Sequence, residues 1–158
     1  MVMSKILDLF RRPPKVKHTM EDEFFGTLTW DEDYPLGWCG ILTLANGKTS
    51  SFTIEGAKTD ESIPEKVREM AKFLIANERL IHDKIAASMS EIYNGPWGGG
   101  DTLTPEELAQ KINLKDVSFY EEGGGELYYE ADDEIFTDHM ICASIDENGE
   151  IGEPELEG

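Results

Sequence analysis

A chain of 158 residues, 39% apolar and 30% charged, is long enough to bury a core in one domain and too apolar for a disordered chain. Its formal net charge of −19 argues against direct nucleic-acid binding, because a field of that sign repels phosphate backbones and attracts basic proteins. The charge is uneven: residues 1–18 hold Lys5, Arg11, Arg12, Lys15 and Lys17 against Asp8, a net +4, so the other 140 residues carry −23. Cys39 and Cys142 stand alone in apolar runs with no CxxC pattern, and read as reduced core residues. With no secretory h-region at the start and no run of membrane-span length, the expected location is the cytoplasm.

In chain order, Ile6, Leu7 and Phe10 have helical spacing, and Pro13–Pro14 stops any helix they form. Residues 1–18 are therefore read as a basic arm or short helix, and 19–158 as one acidic domain. Glu23–Trp30 alternates as a strand, Asp31–Gly37 is a loop, and Trp38–Leu44 is a second strand. Asn46–Gly47 predicts a type I′ hairpin into a third strand over Lys48–Glu55. The period then changes from two to 3.6. Ser62, Pro64 and Glu65 predict a capping box, and Val67, Met70, Ala71, Leu74, Ile81, Ile85, Met89 and Ile92 form one apolar stripe. This predicts a helix from Ile63 to about Tyr93, with His82 at its boundary.

Asn94–Asp101 is rich in helix breakers and lacks the GK[ST] ending of a phosphate loop, so it reads as a connection with Trp97 as an anchor. Thr104 and Glu107 predict a second capping box, for a short helix ending near Asn113. Val117–Glu121 pairs with Glu126–Ala131 across three glycines. Asp132–Asp138 is an acidic connector, His139–Ile145 a core strand, and Asn148–Gly149 the turn into Glu150–Glu157. The expected fold is α+β: about seven mainly antiparallel strands, in groups of three and four, against one long and one short helix.

The one catalytic constellation the chain offers is His139 with Asp138 and Asp133, flanked by Asp132 and Glu134. Carboxylates beside an imidazole bind divalent metals and move protons, which makes a metal-dependent hydrolase the alternative reading. Asp146, Asn148, Glu150 and Glu157 fall at calcium-loop positions, but Ile151 occupies the position that needs glycine, and a hairpin explains the segment better. No cofactor motif is found.

Phe25-Gly26-x-Leu28 with Trp38-x-Gly40 forms one recognisable set. Phe136-x-x-His139-x-Ile141, Ile145-Asp146-x-Asn148-Gly149-Glu150-Ile151 and Gly158 form a second. Together they resemble a group of small bacterial proteins known as a domain of unknown function, over Glu23 to Gly158. Members of such groups occur beside polymorphic toxin systems, whose immunity proteins are small and acidic. The resemblance implies a role for His139 and the Asn148–Gly149 turn in fold or surface, and carries over no catalytic residues. The leading expectation is thus a non-enzymatic protein-binding module, of the immunity type, that meets a basic partner or toxin. Its candidate contacts are Trp97, Tyr120, Tyr128, Tyr129, Asp132, Asp133 and Glu134.

Overall fold

A computed structural model of the chain describes residues 17–31, 37–56, 62–132 and 135–158. Among these residues, eight strands form one sheet in sequence order: β1 Lys17–Asp22, β2 Gly26–Asp31, β3 Gly37–Thr43, β4 Thr49–Glu55, β5 Ile112–Tyr120, β6 Gly125–Ala131, β7 Met140–Ile145 and β8 Glu155–Glu157. Every neighbouring pair is antiparallel except β4 and β5, which run parallel. Parallel neighbours need a long crossover. Here it contains α1, Glu65–Ile92, a π-helical turn at Tyr93–Trp97, and α2, Pro105–Ala109.

The expected grouping of three and four strands is corrected to two four-stranded meanders fused by one parallel pair. The run expected as one strand from Glu23 is broken. Asp22 Oδ1 accepts the amides of Phe24 and Phe25, and Gly26 turns the chain at φ +74°, so β1 precedes the run and β2 begins within it. β1 takes Lys17 and His18, which the sequence reading placed in the arm; residues 1–16 lie outside those described.

The Asn46–Gly47 hairpin forms, but only Gly47 has positive φ, and the Leu44 amide bonds the Lys48 carbonyl across a three-residue loop in place of a type I′ turn. The Ser62 capping box does not. The N-cap is Pro64, no side chain caps it, and Glu65 pairs with Arg68 at 3.2 Å. The Thr104–Glu107 box does form: the Thr104 hydroxyl accepts the Glu107 amide and Glu107 accepts that of Thr104. Its helix ends at Ala109, before the expected Asn113, because Ile112–Leu114 already pair with β6.

Strand alternation assigns the two faces. Leu28, Trp38, Phe52, Ile54, Val117, Phe119, Leu127, Tyr129 and Ile141 point toward α1 and are buried against its stripe of Val67, Ala71, Leu74, Ile85 and Met89. Each fully buried large side chain contributes about 1.5–3 kcal/mol. Gly40 keeps the layer tight, since a Cβ there would stand 2.7 Å from the Phe52 ring. The opposite face carries Thr53, Glu55, Asp116, Ser118, Tyr120, Glu126, Tyr128, Cys142, Glu155 and Glu157, and no described helix or strand packs on it.

Candidate functional site

The residues singled out by sequence separate into three places. The first is a corner at the end of α1. Pro96 and the non-helical Gly95 break the helix axis and swing Trp97 back over the β6–β7 connection. Trp97 meets Phe136 at 5.9 Å and His139 at 5.1 Å between ring centroids, both edge-to-face. Tyr93 also meets Phe136, edge-to-face at 6.0 Å. The turn that delivers His139 is tight: Thr137 sits at φ +56°, and the His139 amide bonds the Phe136 carbonyl. His139 Nδ1 lies 3.1 Å from that same carbonyl and 3.0 Å from the Thr137 hydroxyl. The opposite ring edge faces Gly158, where a Cβ would come within 2.5 Å of it.

Asp138 stands 3.6 Å from His139 and is almost wholly in solvent. Asp133 and Glu134 fall outside the described residues, while Asp132 is exposed and its amide bonds the Lys111 carbonyl. No group of three His, Cys, Asp or Glu side chains arranged to hold a metal occurs among the described residues. What this corner does show is an imidazole held by backbone and packed on indole, which is a way to fasten the β6–β7 connection to α1.

The second place is the sheet face away from α1. Tyr128 donates to Glu126 Oε2 at 2.5 Å, and Ser118 donates to Glu55 at 3.2 Å on the adjoining strands. The Glu126 hydrogen bond, then burial, holds the Tyr128 hydroxyl well above its ordinary pKa. Burial, then Glu126 and Glu55, pushes Tyr120 up to about 12. Cys142, under the same carboxylates, is pushed up to about 11 by burial first, then by Glu157 and Glu126. Cys39 is on this face too, but β3 and β7 are four strands apart, about 19 Å at ordinary strand spacing, and both thiols are free. Glu21, Glu55, Asp116, Glu126, Glu130, Glu155 and Glu157 make this face acidic; Lys115 is paired with Glu130 at 3.7 Å.

Tyr129 belongs to neither place. It points to the helix and is fully buried, so no partner reaches it in this arrangement. There it meets two residues that sequence reasoning did not connect with it. Glu78 is buried in the apolar stripe of α1, one turn before His82. His82 Nδ1 lies 3.3 Å from Glu78 Oε1, its Nε2 lies 2.7 Å from the Ala109 carbonyl, and its ring meets Tyr129 edge-to-face at 5.4 Å. The Glu78 hydrogen bond raises the His82 pKa, burial opposes it, and the Ala109 carbonyl adds to the rise. An acid inside an apolar stripe four residues before a histidine was the available signal. It does not say which strand residue stands opposite.

No curated protein and no solved structure matches the chain. Its first recognisable motif, Phe25 to Gly40, shapes the β1–β2 turn and the close approach of β3 to Phe52, and its second holds the His139 corner and the β7 hairpin. Apart from Gly158, both lie within residues 22–156, the stretch matched by the family described as "Uncharacterized protein conserved in bacteria (DUF2262)", and the chain belongs to that family.

Proposed function

We propose that the protein is a non-enzymatic binding module whose acidic sheet face engages a basic protein. The observation that carries this reading is the chemistry of that face: seven carboxylates on its strands, with Tyr120, Tyr128 and the exposed Ile41 among them. Tyrosines supply rigid contact area with a polar end, and carboxylates steer a cationic partner and fix its orientation. Tyr128 is already held by Glu126, so part of its ordering is complete before a partner arrives. Neutralising a basic toxin by occlusion is the particular case in line with the immunity-type resemblance. Trp97, with 37% of its surface exposed, lies at the β6–β7 end of the molecule and serves as a second contact only for a partner that reaches beyond the face.

The test has two stages. The tagged full chain is used to capture proteins from its bacterial host at low and moderate salt. The recovered protein is then titrated against wild type, Tyr128→Ala and the double variant Glu155→Lys, Glu157→Lys. Weaker binding by both variants, with a steep loss of wild-type affinity on added salt, is the expected result. Equal binding by all three proteins, or recovery of no basic protein at either salt, overturns the reading.

A further inference from the structure

The buried group on the other side of the sheet holds a donor that is not used. Glu78 Oε1 faces His82 Nδ1, while the Tyr129 hydroxyl, buried beside them, makes no hydrogen bond with a described residue. That hydroxyl nevertheless borders Glu78: after burial, the charge of the carboxylate and a contact with it short of full hydrogen-bond geometry push the tyrosine pKa up. A buried unmade hydrogen bond costs free energy, so an arrangement in which the hydroxyl is used lies within reach.

The proton count on His82 says when. Its Nε2 points at the Ala109 carbonyl, which only accepts, so Nε2 carries a hydrogen in either state of the ring. The remaining question is Nδ1. In the imidazolium, Nδ1–H donates to the Glu78 carboxylate. In the neutral ring, Nδ1 is a bare lone pair 3.3 Å from a carboxylate oxygen, and two acceptors face each other. Glu78 then needs another donor, and Tyr129 has one.

We propose that Glu78 is the common acceptor of a proton-controlled exchange: His82 Nδ1–H holds it when the ring is charged, and the Tyr129 hydroxyl holds it when the ring is neutral. The exchange links α1 to β6 in one state and releases that link in the other, while His82 keeps its bond to the end of α2. It takes place at the meeting of two clefts that both expose Glu78 and His82. One, of about 390 Å³, opens toward the β3–β4 hairpin with Lys48, Lys115 and Glu130 at its walls. The other, of about 530 Å³, lies along α1 with Arg79 and Asp83. The charges facing the group are therefore Arg79 and Asp83 from α1, Lys48 from the hairpin, Lys115 from β5 and Glu130 from β6. The α2 end supplies the Ala109 carbonyl and the neutral Gln110. The mixed signs leave Glu78 as the dominant partner of the ring. The device shares with the acidic face only Lys115 and Glu130 at the rim of the first cleft, and the residues varied to test that face, Tyr128, Glu155 and Glu157, do not line either cleft, so either idea can fail alone.

The exchange is testable by NMR on the full chain, with carbon-13 at the Cε1 of histidine and the Cζ of tyrosine. The His82 and Tyr129 signals are assigned by their loss in His82→Gln and Tyr129→Phe. The expected result is that the Tyr129 Cζ signal moves with the His82 midpoint, toward the shift of a donating phenol as pH rises. In Glu78→Gln this movement disappears. In Tyr129→Phe the His82 midpoint rises, because the neutral state has lost its replacement donor; a tyrosine that only fills space leaves it where it was. A Tyr129 signal that stays flat through the His82 titration overturns the exchange, as does a His82 midpoint unmoved by Tyr129→Phe. The wild-type co-titration decides the matter even if Glu78→Gln does not fold.

Discussion

The two faces of one sheet are built from opposite materials, although their residues alternate along the same strands. On β6, Leu127 and Tyr129 sink under α1 while Glu126 and Tyr128, one position away, form a hydrogen-bonded pair on the other side. On β5, Val117 and Phe119 pack into the core while Asp116 and Ser118 bond to β4 side chains across the acidic face. The covered face stabilises the fold through apolar area, which is non-directional and large. The acidic face is held by hydrogen bonds among groups that water also satisfies, so its net contribution to stability is small. Where a polar network does lie under the helix, at Glu78, His82 and Tyr129, it is in the region where unmade bonds cost most. The difference teaches where substitutions act on stability and where they act on recognition.

Four substitutions break or sharpen that contrast. Phe52→Ala removes a ring that meets Phe25 at 4.9 Å and Phe119 at 5.7 Å, and is expected to lower unfolding free energy by about 3–5 kcal/mol in a urea titration. An effect as small as that of an acidic-face variant places the core elsewhere.

Next is Asp22→Asn. Asp22 joins the β1–β2 turn to α1 through Arg68 at 2.6 Å. Burial acts to raise its pKa, but the Arg68 hydrogen bond and the amides of Phe25 and Phe24 outweigh it and hold the carboxyl below its ordinary range. Its stabilisation is therefore full above the unfolded carboxyl pKa and is lost as pH falls through the lower folded value. The substitution is expected to cost about 1–3 kcal/mol at neutral pH and to flatten the acid limb of the stability curve. An unchanged acid limb removes Asp22 from its cause.

His82 has the opposite sign. Its folded pKa is raised, so its contribution is full below the unfolded value near 6.5 and is lost as pH rises through the folded one. His82→Gln is expected to cost about 1 kcal/mol on the acid side and less on the alkaline side, measured by denaturation at paired pH values. A cost that grows with pH contradicts that sign.

The smallest expected effect on stability is that of Tyr128→Phe on the acidic face, about 1 kcal/mol or less. It removes one hydrogen bond to a partly exposed carboxylate. Its larger consequence is expected in partner titration, and a loss of stability matching that of Phe52→Ala erases the contrast between the faces.

The readable parts of the fold were those with local periodicity. The α1 stripe from Val67 to Met89 and the Thr104–Glu107 cap needed only neighbouring residues to be recognised. β1 was missed because Lys17–Asp22 carries little apolar alternation; Asp22 shows its purpose only when Arg68 of α1 is opposite it. Ser62 was read as a cap by type, and Arg68 took Glu65 away from that role. His139 and Trp97 were each visible as unusual residues, but their contact depends on the break at Gly95–Pro96.

By itself the sequence determined the strongly periodic segments, α1 and most strands other than β1, that the chain is acidic, and which residues of each strand share a face. All of these follow from composition and from periods of two and 3.6 within a few residues. Only the tertiary structure decided that β4 and β5 run parallel and so join two meanders into one sheet. It also decided which of the two faces the helix covers, so that Tyr129 is buried beside His82 while Tyr128 stands beside Glu126 on the uncovered face. Those outcomes depend on pairings between residues far apart in the chain, where register and burial are chosen by the packed core as a whole.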